Sequence, residues 1–416
     1  MILLKNTFWL LLTTLACLNA TALNAQVRGC TDSKAANFNA LATQTDGSCA
    51  YNSAIVDPTE AVNLESVLNE SSGLIMWNNK LWTHNDDTDI HLYELNPADV
   101  KTYTSHALSG AVNNDWEEIS QDENYIYVGD FGNNASGNRR NLRILRVSKL
   151  SLLQNNPSVE YIPFSYELQT DFTATAPNKT DFDCEAFVVA GDSIYLFTKE
   201  WLSKKTSLYA LPKSLDTHIA KFKGVYDVQG LITGATYVSN RNLVALCGYS
   251  DMLQPFILLL YDFEKHHFLA ANKRKINLNH SFHQVEGITT TDGLNYYISN
   301  ERFSQSIISV DAKLSKVNLS TYLTDYLNTF TSQVLPSMIP FKSYPNPTHD
   351  FLRIDVANSN NTNIKIFTMC GQLEASESFP NGSIQLSVQN LQNGLHNYLI
   401  ESSQGPNYYG KFIVKK

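Results

Sequence analysis

From residue 57 to residue 330 the chain runs as short stretches in which apolar and polar residues alternate, broken by polar turns. Alternation with period two marks half-buried strands rather than helices. The stretches recur as a unit of roughly 50 residues, within the range of propeller blades. Five units open alike: Ser71-Ser72-Gly73-Leu74, Trp116-Glu117-Glu118-Ile119, Cys184-Glu185-Ala186-Phe187, Thr233-Gly234-Ala235-Thr236 and Val285-Glu286-Gly287-Ile288. The second residues of these openings are spaced by 45, 68, 49 and 52 residues. The long interval contains Asn133–Arg140 and Thr170–Thr180, polar stretches that read as loop insertions.

Each opening is followed by a second run (Lys80–Thr83, Tyr125–Val128, Ser193–Phe197, Leu243–Cys247, Tyr296–Ser299) and a third (His91–Leu95, Leu142–Val147, Leu208–Leu211, Phe256–Asp262, Ile307–Asp311). A fourth is Thr102–Ala107, Val159–Tyr166, Lys221–Val228, Arg274–Leu278 and, more weakly, Lys316–Leu319. Four strands in each of five units predict an all-β chain built as a five-bladed β-propeller, with six blades the alternative if one is degenerate. Residues 61–68 are placed to complete the last blade. Prolines interrupt Leu335–Pro347 and mark a linker over 331–343. Alternating runs return beyond it, from Phe351–Val356 to Lys411–Val414, with Asn-Gly turns at 381–382 and 393–394. They predict a small C-terminal β-sandwich over 344–416.

The first strand of a propeller blade lines the central channel, and the second returns to the same face. First-strand starts therefore bring Glu117, Glu185 and Glu286 to one channel mouth, with Asp115 and Asp183 two residues ahead of two of them. Second-strand ends bring His84, Asn85, Asp86, Asp130, Lys199, Glu200, Asn300 and Glu301. So many carboxylates need a cation, shared protons or the basic partners Lys199 and Arg302. One reading gives a metal site on Glu117, Glu185, Glu286 and Asp130, with calcium or magnesium favoured by all-oxygen ligands. His84, Asn85, Asp86, Glu200, Asn300 and Glu301 would then line a ligand site. The other reading makes the glutamates scaffold, capping strands between blades. His280, His283 and Glu286 are spaced three apart, as a transition-metal site would need, but surface or core histidines are the simpler reading.

The chain starts with a basic Met1–Lys5, an apolar Phe8–Leu18 and the small residues Ala20, Ala22 and Ala25. This predicts a secretory signal peptide over 1–25, cleaved after Ala25, with Ala22 the alternative. No other stretch has the ~18 apolar residues of a membrane span. The 416 residues are 43% hydrophobic and only 17% charged, which excludes a disordered chain and a coiled coil. The net charge of −9 gives no basic face for nucleic acid. Cys30 and Cys49 bracket a polar segment too poor in apolar residues for a core, so residues 26–52 are expected to be a small module stapled by that disulfide. Cys184, Cys247 and Cys370 stand alone; Cys184 and Cys247 are read as buried thiols, with a bond between them the lesser option.

Three resemblances follow. "GCTDSKAANFNALATQTDGSCAY" resembles small cysteine modules of secreted Bacteroidota proteins. Tyr344-Pro345-Asn346-Pro347, Gly371-Gln372, Leu391-Gln392-Asn393-Gly394-Leu395 and the final Lys-Phe-Ile-Val-Lys-Lys resemble the type A C-terminal sorting domain of the type IX secretion system, with His396 where that family usually has tyrosine. This resemblance implies the type IX machinery as a partner and a secreted or outer-surface location. "NNDWEEIS", "YVGDFGNN", "DFDCEAF" and "QVEGIT" resemble secreted propellers of the esterase-like or phytase-like group, and Glu286-Gly287 is distantly similar to the channel acid of calcium-dependent lactonases. That implies a possible metal site and leaves the reaction open.

No Gly-x-Ser-x-Gly, His-Glu-x-x-His, P-loop, dinucleotide fingerprint or Cys-x-x-Cys occurs. The expectation is a secreted propeller that binds an extracellular ligand, glycan or protein, at the channel mouth. The alternative is a divalent-metal-dependent hydrolase of an ester, lactone or phosphoester.

Overall fold

The computed structural model describes residues 26–305, 308–332, 342–368, 373–402 and 408–416. The expected signal peptide, Cys370 and most of the expected linker lie outside them. The described chain is predominantly β and divides into two units, the first ending at Leu327.

In the first unit four sheets are antiparallel meanders of consecutive strands. Sheet 1 is Ser71–Trp77, Lys80–Asn85, His91–Asn96 and Asp99–Ala107. Sheet 2 is Trp116–Gln121, Tyr125–Asp130, Arg143–Ser148 and Val159–Tyr166. Sheet 3 is Asp183–Ala190, Ser193–Lys199, Thr206–Pro212 and His218–Tyr226. Sheet 4 is Leu231–Val238, Leu243–Tyr249, Pro255–Tyr261 and Asn272–Leu278. Sheet 5 departs from the expectation. Its strands are Val285–Thr290, Asn295–Asn300 and Lys313–Asn318, and the fourth is Thr59–Asn63 from far upstream. The run at 307–311, expected as a third strand, belongs instead to a side hairpin of Phe303–Gln305 with Ile308–Val310. Leu314 and Val317 take the buried places, and closure by the N-terminal strand lies close to where residues 61–68 put it.

The first strand of each sheet lies beside the first strand of the next, and sheet 5 returns to sheet 1, a propeller-like ring. Packing follows this order. Separate apolar clusters fill the gaps between sheets 1 and 2 (Trp82, Trp116, Ile126), 2 and 3 (Phe131, Ile144, Phe187), 3 and 4 (Phe197, Leu246, Phe268), 4 and 5 (Ile257, Ile288, Tyr296) and 5 and 1 (Leu74, Leu81, Leu314). Inner strands are covered on both faces, so Asp183–Ala190 is buried throughout, while outer strands such as Asp99–Ala107 are mostly exposed. Two outer edges are covered by parallel pairing: Phe164–Tyr166 of sheet 2 with His218–Ala220 of sheet 3, and Asn277–Leu278 of sheet 4 with Ile55–Val56. This removes exposed edges that would otherwise template association.

The N-terminal module carries the Cys30–Cys49 disulfide and is docked on sheet 4. Tyr261 donates to Asp32 and shares a 2.9 Å hydrogen bond with Tyr51; Thr31 reaches Asp262 at 2.5 Å and Thr45 reaches Asn272 at 2.6 Å. Arg274 lies between the Tyr51 and Tyr322 rings, at 4.7 and 4.5 Å, joining module, sheet and the helix Ser320–Ser332. Cys184 and Cys247 are buried free thiols.

The second unit has its own antiparallel sheet and core. Phe351–Phe367 pairs with Leu373–Ser387 along most of its length, with Lys342–Tyr344 at one half and Gly394–Ser402 at the other; Tyr408–Val414 completes the edge. Ile354, Ile366, Ile384, Leu386, Ile400 and Phe412 fill the core. His396 is buried against Phe412 and bonded to Glu374 at 2.6 Å and the Gln392 carbonyl at 2.8 Å.

Candidate functional site at the channel mouth

Pairing within each sheet slips by a bulge near the start of the inner strand. In sheet 2 Trp116 faces Asp130 and Glu118 faces Gly129, leaving Glu117 extra. Glu185, Thr233 and Glu286 are the extra residues of sheets 3, 4 and 5; in sheet 1 the slip spans Gly73-Leu74. A bulge re-aims a side chain that strict alternation would send elsewhere. In sheet 4 the repeat position is thus Thr233, one residue before the expected Gly234. Its hydroxyl donates to the Val285 carbonyl at 2.5 Å.

The bulges bring Glu117 and Glu185 together with Asp183. One carboxylate oxygen of each lies within 4.8 Å of the others, and all three are buried. Asp183 accepts from the Asn133 amide at 2.6 Å and the Trp201 indole at 2.8 Å. Glu185 accepts from the Lys199 ammonium, which is held 4.6 Å from the Trp201 ring and 5.3 Å from that of Tyr249. Glu117, only 4% exposed, receives no hydrogen bond from the described residues; burial and then Glu185 push its carboxyl well above the usual range. Burial, opposed by Lys199 and reinforced by Asp183 and Glu286, does the same to Glu185. Burial would lower the Lys199 pKa, but Glu185 and its other anionic neighbours raise it further still. Gly132 closes over this group. A Cβ there would stand 2.0 Å from Glu117 Oε1 and 2.4 Å from Asp115 Oδ2, so only glycine permits the approach. Burial and then Asp183 lift Asp115 to about 6, against the pull of Arg139.

A second carboxylate group lies toward solvent. Glu70, Asp86 and Glu301 likewise have oxygens within 4.8 Å of one another. Burial and then Glu70 push Asp86 to about 7; burial and then Asp86 push Glu301 to about 8. Glu286 is 4% exposed and free of hydrogen bonds from the described residues; its charged neighbours are Glu301, Lys199, Asp86 and Glu70. It stands outside both carboxylate groups, and His280 and His283 lie against each other, ring centres 3.4 Å apart and tilted by 35°.

The remaining expected site residues are tied up within the fold. Asp130 is bonded by Arg139, Arg143 and Asn114, each at 2.8 Å, and the two arginines balance its charge. His84 is fully buried, edge-on to Trp116 at 5.8 Å, and burial lowers it to about 4. Asn85 donates to the Val67 carbonyl and to Asp89; Asn300 donates to the Glu301 and Asp311 carbonyls; Glu200 accepts from Thr198 and Ser203. Of the expected ligand-lining residues, Asp86 and Glu301 alone join a described carboxylate group.

Glu118 is the residue the sequence reading passed over. It is fully buried, and its two oxygens accept from the amides of Ile119 at 2.9 Å and of Ala235, across the channel in sheet 4. The doublet Glu117-Glu118 was its only signal, since alternation assigns one of the two to each face. The two insertions form one wall beside the mouth: Thr175 and Asn178 donate to the carbonyls of Ser136 and Asn134, and Arg140 lies 3.7 Å over Phe172.

Residues 342–415 match the family described as the secretion system C-terminal sorting domain. That domain directs the protein to the cell surface or into the medium through the type IX machinery. No curated protein matches the sequence. Solved structures similar to the chain include PorZ, an essential surface component of the type IX secretion system of Porphyromonas gingivalis, at 12% identity and TM-score 0.30. That match covers 83% of this chain and 45% of PorZ, so the chain spans less than half of it. A streptogramin B lyase is similar at 10% identity and TM-score 0.31, covering 85% and 97%. The extracellular domain of a one-component system of B. thetaiotaomicron is similar at 9% identity and TM-score 0.31, covering 86% and 59%. No helix among the described residues is long and apolar enough to cross a membrane.

Proposed function

We propose that this protein is an exported five-bladed β-propeller, carried by a small β-sandwich sorting domain, that binds an extracellular ligand at its channel mouth through a divalent cation. Glu117, Asp183 and Glu185 hold the cation, and an oxygen-rich partner, a glycan or a protein surface, meets it there. The observation that carries this reading is Glu117: a buried carboxylate with no hydrogen bond from the described residues, beside two others within 4.8 Å. The donors are all oxygen, which suits calcium or magnesium. With Lys199 counted, the ionised triplet has a net charge of −2, which one divalent cation balances. Metal content of the purified secreted protein, measured by mass spectrometry before and after chelator, tests this. Stoichiometric calcium or magnesium, lost together with thermal stability, is expected. Absence of metal, with melting indifferent to chelator and added calcium, overturns it.

A second reading, a metal-dependent hydrolase of an ester, lactone or phosphoester, is favoured by Asp115. Its carboxyl, lifted to about 6, is poised to exchange a proton near neutrality next to the triplet. A bound cation would polarise the reacting oxygen. Turnover of such substrates that Asp115→Asn abolishes while metal content stays unchanged would establish it.

A further inference from the structure

We propose that Glu70, Asp86 and Glu301 form a second divalent-cation site, one that fastens sheet 1 to sheet 5 where the ring closes. Glu70 immediately precedes the inner strand of sheet 1 and Asp86 follows its second strand; Glu301 follows the second strand of sheet 5. The backbone draws the three segments together: the Asp86 amide donates to the Glu70 carbonyl at 3.1 Å and the Arg302 amide to the Asn69 carbonyl at 2.7 Å. This seam joins parts far apart in sequence, because the outer strand of sheet 5 comes from residues 59–63.

The three carboxylates have oxygens within 4.8 Å of one another, and no hydrogen-bond donor reaches them from the described residues. Beside them is an independent sign of a ligand: Glu286, more than nine-tenths buried and without a hydrogen bond from the described residues, with Glu301, Asp86 and Glu70 among its charged neighbours. Glu286 adds a fourth negative neighbour to the three grouped carboxylates, and Lys199 and Arg302 are the cationic neighbours. Oxygen donors alone select calcium or magnesium, and the part-exposed rim leaves room for water to complete the shell. Affinity in the range of about 10⁻⁴ to 10⁻³ M, usual for extracellular calcium modules, suffices outside the cell. The bound ion replaces repulsion across the seam with shared coordination. The site is separate from the Glu117 triplet and does not rest on that reading.

Amide exchange of the full secreted chain, with and without calcium, tests the proposal. At a calcium concentration of about ten times Kd, exchange across residues 59–70 and 301–318 is expected to slow about tenfold. The double variant Glu70→Gln with Glu301→Gln, and separately Asp86→Asn, are expected to lose this protection while being at least as stable as wild type in chelator, since each relieves repulsion and neither removes a hydrogen bond. Glu117→Gln is expected to keep it, so seam protection without a tightly held ion would sink the first site and leave this one standing. Wild-type exchange at the seam that ignores calcium, or protection that survives in both seam variants, overturns the proposal.

Discussion

Glu117 and Glu118 are adjacent in sequence and both buried, yet glutamine should cost more at Glu118 than at Glu117. Both oxygens of Glu118 accept backbone amides, from Ile119 and from Ala235. Whatever its protonation state, an oxygen can accept and an amide nitrogen cannot. Glu118→Gln therefore strands one buried N–H, at a cost of about 1–3 kcal/mol. Glu117 has no hydrogen bond from the described residues to lose, and its carboxyl is pushed well above the usual range by burial and by Glu185. Burial raises both carboxyls, so glutamine relieves that burial cost at either position, and the difference between them lies in the hydrogen bonds: Glu117→Gln strands no N–H. In chelator, then, Glu118→Gln is less stable than Glu117→Gln by about 1–3 kcal/mol. With calcium the order changes, because only Glu117→Gln forfeits the cation. Urea unfolding followed by tryptophan fluorescence reads this directly, because Trp77, Trp82, Trp116 and Trp201 all lie in the first unit. If Glu117→Gln is as destabilising as Glu118→Gln in chelator, Glu117 is scaffold and the cation reading fails.

Acid should destabilise the protein through His84, which is lowered to about 4 by burial and packed against Trp116 with Asp89 as its charged neighbour. The unfolded chain gains its proton first as pH falls below about 6.5, so up to about 3 kcal/mol present above that pH is lost by pH 4, and His84→Gln should flatten this limb in a pH series of unfolding free energies. Asp130→Asn removes the charge facing Arg139 and Arg143 and should cost about 3–5 kcal/mol in urea unfolding; a cost below 1 kcal/mol would show the pair to be solvated. Gly132→Ala should displace the Glu117 carboxylate, weaken cation binding at least tenfold in calorimetric titration and lower the melting temperature measured with calcium. Reducing Cys30–Cys49 should release the N-terminal module from sheet 4 and expose it to protease while the ring stays folded, because the module's contacts lie on the two outer strands of that sheet and the turn between them.

The ring was legible in the sequence because its inner strands are buried on both faces and each starts with the same short motif. Bulges were not, since one extra residue breaks the period on which the reading of faces depends. That is why blade four was aligned on Gly234 rather than Thr233, and why Glu118 was passed over beside Glu117. The last sheet misled for a different reason: the run at 307–311 is no less apolar than Lys313–Asn318, and only the arrival of Thr59–Asn63 decides which of them pairs. Asp130 was placed at the mouth by its position at the end of a second strand. It sits directly opposite Arg143 on the neighbouring strand, and that register neutralises it.

Burying three carboxylates side by side is unfavourable unless something returns the charge, and Lys199 returns only part of it. Its ammonium is committed to Glu185 and held between two aromatic rings, so it cannot also serve Glu117. Asp183 is steadied by two N–H donors, which favour its ionised form without adding charge. The deficit therefore falls on Glu117, the member that Gly132 lets the backbone approach most closely. A proton there satisfies one charge but leaves both carboxyl oxygens without donors in a buried site. A divalent cation satisfies both charges and gives the oxygens a partner. The same reasoning extends outward through Glu286 to the seam acids, where the donors are again absent and the oxygens again converge. What distinguishes this mouth from strand-capping glutamates is that Glu118 caps, and its neighbour does not.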